Sequence, residues 1–364
     1  MRSSTWLIGA ASVGVMAAGV ALVSRAQTPP VTPKAGAVRQ VGFVNMHAPY
    51  PQCHASTIVE IAPGRLAAAW FGGTREGAPD VGIWFARHDG TDWLPAVEVA
   101  DGRQPDGSRH PTWNPVLFKP PSGPLFLFYK VGPSPREWWG MVRRSTDGGV
   151  TWSEAERLPA PILGPIKNKP VILPDGTWLS ASSTEGTPTG WRAHFEASRD
   201  QGRTWRFIGP VDKGPASLEA IQGSVLFLGG DRLLALLRTR NGVLAATRSA
   251  DAGQSWSALE PSGLPNPNSG TDALTLRDGR HLLVFNNSKP APGRGSGPRY
   301  PLDVATSRDG ARWDVVLTLE REPVPDGYAY PAVIQSSDGL VHVTYTWNRE
   351  RIKHVIVDPS ALGR

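Results

Sequence analysis

Ser145-Thr146-Asp147-Gly148-Gly149-Val150-Thr151-Trp152 is the stretch from which the rest of the chain can be read. It describes a tight turn in which an Asp and a Gly bend the backbone and a Trp pins the turn onto a sheet. The pattern recurs from Ser198 to Trp205 and from Ser249 to Trp256. It is one residue shorter from Ser307 to Trp313, and worn from Asp89-Gly90 to Trp93. The five Asp positions, 89, 147, 200, 251 and 309, lie 51 to 58 residues apart, long enough for one four-stranded antiparallel sheet per unit. Such sheets cannot bury both faces alone and must stack on their neighbours, radially in a propeller.

A second repeat keeps the same register. Six segments run apolar strand, turn, apolar strand: Ser56 to Phe71, Val116 to Tyr129, Lys169 to Ser182, Ser224 to Leu237, Ala273 to Phe285 and Ala332 to Trp347. They predict an all-β, six-bladed propeller over residues 38–358. The last unit has three strands ending near Val357 and no later Asp turn. The stretch Gly36 to Val44, left over before the first hairpin, is therefore expected to join that blade, so that the two ends of the chain close the ring and leave no open sheet edge.

Arg2, an uncharged run from Leu7 to Val23 and Ser24-Arg25-Ala26 predict a secretory signal over residues 1–26, followed by a linker over 27–37. The expected location is secreted or periplasmic. The run is 17 residues long, at the lower limit of a membrane span, so an uncleaved membrane anchor is the alternative. Cys53 is the only cysteine, which excludes an intrachain disulfide. The net charge of +6, two charges lower without Arg2 and Arg25, fits an anionic ligand. It is too small and too dispersed for nucleic acid, and no basic run carries interleaved aromatics. No cluster of His, Asp and Glu has the spacing of metal ligands, so neither a metal nor another cofactor is expected.

In a propeller the innermost strands converge on the central channel, and the polar residues at their ends form one ring. Blade by blade these are His54 with Arg75, Glu76 and Asp80; Asn114 with Lys130; Lys167, Asn168 and Lys169 with Glu185; Glu219 and Gln222 with Arg238 and Arg240; Asn268 and Asp272 with Asn286; and Tyr328 and Tyr330 with Trp347. They are polar where the flanking strands are apolar, which points to a binding pocket. Guanidinium groups for a carboxylate, amides for hydroxyls and aromatic faces for a ring suggest an acidic glycan as partner, with Arg238, Arg240 and Arg299 as the carboxylate clamp.

The Ser-x-Asp-x-Gly-x-Thr-Trp boxes and their period resemble the Asp-box repeats of the sialidase superfamily, whose fold is a six-bladed propeller. Sialidases use three arginines on the substrate carboxylate, a Tyr nucleophile paired with a Glu, and an Asp acid/base. By this resemblance Asp80 matches the acid/base, Glu219 the Tyr-activating Glu, Arg238 and Arg299 the second and third arginines, and Tyr330 the nucleophile. The first arginine is missing: Cys53-His54-Ala55-Ser56 stands where an Arg-Ile-Pro type motif is expected, so the clamp is reduced to two with an imidazole in the gap. The segments Cys53 to Thr57, Phe71 to Gly77 and Lys167 to Pro170 also look like those of sialidase-like rhamnose–glucuronate lyases. A His beside arginines and a Tyr is what β-elimination at a uronic acid requires, and His54 and Tyr330 are the expected proton-transfer pair. An exo-sialidase-type hydrolase using Tyr330, Glu219 and Asp80, and a glycan-binding propeller without turnover, stay open beside the favoured lyase.

Overall fold

The structure, a computed structural model, describes residue 1, residues 36–186 and residues 190–363. The signal segment expected over 1–26 and most of the 27–37 linker lie outside the described residues. All regular structure among the described residues is strand, and none of it is a helix long and apolar enough to cross a membrane. Twenty-four strands form six four-stranded antiparallel sheets, and the fold is the six-bladed propeller.

The first strands of blades 1 to 6 are Gln52–Ala62, Thr112–Phe118, Val171–Ile172, Ala220–Phe227, Asp272–Thr275 and Tyr328–Gln335. These line the axis. Blades 1 to 5 run outward strand by strand, whereas blade 6 is completed by Val38–Phe43, paired antiparallel with Arg351–Val357. Second strands such as Leu125–Val131 are buried at every position, because a neighbouring blade covers each face.

The boxes explain how the blades hold each other. In the blade 2 box, Ser145 Oγ donates to Asp147 Oδ1 at 2.7 Å, Gly149 N donates to Ser145 Oγ at 2.7 Å, and Thr151 Oγ1 donates to Asp147 Oδ2 at 2.6 Å. In three of the boxes the Trp that follows packs on the preceding blade. Trp152 meets Phe85 of blade 1 edge-on with centroids 5.4 Å apart, Trp205 meets Phe128 of blade 2 at 6.0 Å, and Trp256 lies flat on Phe195 of blade 3 at 3.7 Å. Trp93, from the worn box, donates its indole N–H to His354 of blade 6 at 3.2 Å. The repeated turn is thus a wedge between blades.

A second repeated irregularity shapes the axis. In blades 1, 2, 4 and 6 the ladder between the first two strands is broken near its channel end. One residue there takes a left-handed backbone: Ala55 (φ 57°), Asn114 (φ 40°), Gln222 (φ 58°) and Tyr330 (φ 54°). Such bulges re-aim side chains at the mouth of a barrel or channel, and none of these four is a glycine, so the surroundings must hold each of them in place.

Candidate functional site

Three of the four bulges bring polar groups to one point. Tyr330, 8 % exposed, receives two hydrogen bonds on its Oη, one from Arg238 Nη1 at 2.5 Å and one from Gln222 Nε2 at 3.2 Å. Arg238 lies at the end of Leu233–Thr239, where it also donates to Gln222 Oε1 at 3.2 Å and, through Nε, to Asn268 Oδ1 at 2.9 Å. The Tyr330 ring faces His54 with centroids 4.3 Å apart. The Arg299 guanidinium lies 6.0 Å from the centre of the Tyr330 ring.

His54 is 2 % exposed. Its Nδ1 is 2.9 Å from Thr346 Oγ1, which also accepts from Ala55 N at 3.1 Å, and Phe71 closes one side edge-on at 5.6 Å. Burial holds the imidazole well below its ordinary pKa, and the cations Arg349, Arg299, Arg238 and Lys167 add to the effect. His54 is therefore neutral at neutral pH, with one of its two ring nitrogens unprotonated. An anion bound among those cations offsets them and makes the imidazole a stronger base.

Arg349 was not anticipated. It follows Trp347-Asn348 in the turn after the second strand of blade 6, whereas the residue that occupies the register position of Arg238 in that blade is Thr346, so the repeat gave no signal for it. It acts on both His54 and Arg299 and lines a common cavity with Arg299. Its Nη1 pairs with Glu76 at 2.6 Å. The clamp expected to hold two arginines therefore has three guanidiniums within electrostatic reach of His54, contributed by the fourth, fifth and sixth blades.

Several expected residues are placed otherwise. Lys167 is not available to a ligand, because its Nζ uses its three N–H groups on Asn168 Oδ1, Thr271 O and Pro331 O at 2.8, 3.0 and 2.6 Å. Lys169 and Asp272 pair with each other at 3.3 Å. Asp272 further accepts from Ser224 Oγ at 2.9 Å and from Val333 N at 2.9 Å, so it ties blades together. Asp80 is exposed and closes a local turn, accepting from Thr74 Oγ1 at 2.6 Å and Thr74 N at 2.9 Å. The Thr74 hydroxyl above all holds this carboxyl below its ordinary pKa, which suits a turn and not a proton donor at neutral pH. Glu219 is paired with Lys213 Nζ at 3.2 Å and Arg240 Nη1 at 3.6 Å, while the phenol it was expected to activate has Gln222 beside it. Asn114 is buried at the blade 2 bulge, and Arg75 is exposed on the loop that carries Glu76.

The site has a rim of its own. Arg240 stacks on Trp191 at 4.0 Å and Arg238 lies 5.1 Å from the same ring. Glu185 stands near both arginines, and burial raises its carboxyl above the ordinary range. A separate cavity of about 400 Å³ lies on the axis, lined by Val59, Phe118, Phe227 and Ile334 and by the Lys169–Asp272 pair. His54, Tyr330, Arg238, Arg299 and Arg349 do not line it.

Residues 64–343 match the BNR repeat-like domain family. A comparison with curated protein sequences finds no match. Among solved structures, a protein of unknown function from Dyadobacter fermentans is similar with a TM-score of 0.71 and 19 % identity, over 89 % of this chain and 99 % of that one. The NanB sialidase of Streptococcus pneumoniae is similar with a TM-score of 0.67 and 13 % identity, over 91 % of this chain and 72 % of that one. A leech intramolecular trans-sialidase, solved with 2,7-anhydro-Neu5Ac, gives a TM-score of 0.66 and 13 % identity over 89 % and 70 %. At these identities the likeness concerns the fold.

Proposed function

The chain belongs to the BNR repeat-like domain family, and on that premise we propose that it is a lyase that cleaves a terminal glycosidic bond at glucuronate by β-elimination, of the rhamnose–glucuronate type. The observation that carries this reading is the pairing of a neutral, buried His54 with Tyr330 at 4.3 Å, amid three guanidiniums.

The uronate carboxylate binds among Arg238, Arg299 and Arg349, which offset its charge and make the C5 proton acidic. With Nδ1–H donated to Thr346 Oγ1, His54 Nε2 takes the C5 proton. The electron pair of the C5–H bond becomes the C4–C5 double bond as the C4–O4 bond breaks. The departing O4, now the anomeric oxygen of rhamnose, takes a proton from Tyr330 Oη or from the imidazolium. The products are free rhamnose and an unsaturated uronate.

A second reading, exo-sialidase-type hydrolysis with Tyr330 as nucleophile, is favoured by the third guanidinium, Arg349. It is disfavoured by the phenol's partners. Arg238 and Gln222 both donate to Oη through nitrogen, and the carboxylate expected to accept the phenol's proton, Glu219, is ion-paired elsewhere.

Incubation of residues 27–364 with a rhamnosyl-glucuronate oligosaccharide, and in parallel with a sialyl-oligosaccharide, tests the proposal. Free rhamnose together with new ultraviolet absorbance from the unsaturated uronate is the expected result. Free sialic acid without that absorbance overturns it in favour of hydrolysis.

A further inference from the structure

Lys167 is buried, and among the described residues it makes no ion pair. Burying an ammonium is costly unless each N–H finds an acceptor. Burial lowers this amine to about 7, but its nitrogen meets three acceptors, Asn168 Oδ1 at 2.8 Å, Thr271 O at 3.0 Å and Pro331 O at 2.6 Å, which matches the three N–H groups of the charged form and exceeds the two of the neutral one. The three come from blades 3, 5 and 6, and one belongs to the residue that follows Tyr330.

Tyr330 needs such support. Its φ of 54° is left-handed, a conformation that a tyrosine adopts at a cost and that a following proline does not ease. Lys167 Nζ lies 5.7 Å from the centre of the Tyr330 ring. A second route runs through its neighbour: Asn168 Nδ2 donates to Gln222 O at 3.1 Å and to Ser224 Oγ at 2.8 Å, and Gln222 in turn donates to Tyr330 Oη. Gly270 leaves room for the lysine stem, since a Cβ there would lie 2.8 Å from Lys167 Cε.

We propose that Lys167 is a positioning residue, whose ammonium, tied to carbonyls of blades 5 and 6, holds Tyr330 in its bulge with the hydroxyl on Arg238 and the ring against His54. The claim that this geometry serves turnover rests on the elimination reading above; the claim that Lys167 holds it does not.

Lys167→Met keeps the length of the side chain and removes both charge and donors. On whichever glycan the wild type cleaves, kcat is expected to fall by about 100-fold, the scale of an ångström of misplacement, with KM changed by less than about threefold. The acidic limb of kcat/KM moves to higher pH, because one of the cations that depress His54 is gone. A crystal structure of the variant is expected to show Tyr330 out of its left-handed conformation. Gly270→Ala displaces the ammonium without deleting it and gives a smaller loss in kcat of the same kind, so a Lys167→Met protein that does not fold leaves the test intact. Unchanged kcat, or a variant structure in which Tyr330 keeps both its backbone and its bond to Arg238, overturns the proposal. Failure of the elimination reading is distinct: it shows in the wild type as the absence of unsaturated uronate, whatever the variant structure reveals.

Discussion

Replacing Arg349 with methionine asks whether the third guanidinium serves the substrate or only Glu76. A hydrogen bond to a charged group contributes about 1.5–3 kcal/mol, and about 1.4 kcal/mol is a factor of ten. The full contribution would therefore be roughly 10- to 150-fold in kcat/KM. Two features lower it. The Arg349 side chain is 20 % exposed, so solvent screens it in part, and Glu76 competes for it at 2.6 Å. The expectation for Arg349→Met is therefore a loss of about 10- to 30-fold. There is a second signature. Arg349 is the foremost of the charges that depress His54, after burial itself. Its removal raises the imidazole's pKa, so the base is protonated at a higher pH and the acidic limb of kcat/KM shifts upward. Glu76→Gln is the control of opposite sign: it frees Arg349 and lowers KM. The assay is ultraviolet absorbance at the unsaturated uronate from pH 4 to 9. Arg349→Met with unchanged kcat/KM and an unmoved limb refutes the three-arginine clamp.

Four further outcomes are expected. His54→Gln abolishes elimination, by about 1,000-fold or more as expected for loss of a general base, while calorimetry still detects the glucuronate ligand; wild-type turnover in that variant ends the mechanism. Glu219→Gln leaves kcat within about threefold, because its partners are Lys213 and Arg240 rather than Tyr330; a loss near that of His54→Gln restores the hydrolase reading. Burial next to His342 holds His354 down to about 3, so the folded imidazole stays neutral while the unfolded one takes a proton near 6.5. Stability is then complete above that pH and falls as the pH drops toward 3, by roughly 3 kcal/mol at pH 4; urea midpoints measured from pH 7 to 4 should fall, and fall less in His354→Gln. Trp256→Ala removes a ring stacked at 3.7 Å on the preceding blade and is expected to cost about 3 kcal/mol, read as a lower urea midpoint; a change below 0.5 kcal/mol refutes the wedge role of the box Trp.

The propeller was legible in the sequence because its signals are local. An Asp, a Gly and a Trp within eight residues set a turn whatever surrounds them, and six hairpins at one period leave few ways to bury both faces of every sheet. The leftover Gly36 to Val44 pointed to the closure that Val38–Phe43 makes with Arg351–Val357. His54, Tyr330, Arg238, Arg299 and Asn268, which the structure brings near one another, were all named as candidates from sequence, His54, Tyr330 and Arg238 as polar residues at ends of apolar strands and Arg299 by its place eight residues before Ser307.

What sequence position does not encode is how far each polar residue reaches toward the axis. Lys167 and Lys169 differ by two positions, yet the first is spent beneath Tyr330 and the second pairs with Asp272 further along the channel. Gln222 rather than Glu219 meets the phenol because a left-handed bulge turns Gln222 inward, whereas Glu219 precedes the strand and pairs at the rim. Arg349 enters the site only because blade 6 closes beside blade 1, which brings a turn near the C-terminus against His54 near the start. The local code of turns and strands determined the six blades; the convergence of those blades on one axis, which sets charges from distant segments within a few ångströms of each other, decided the site.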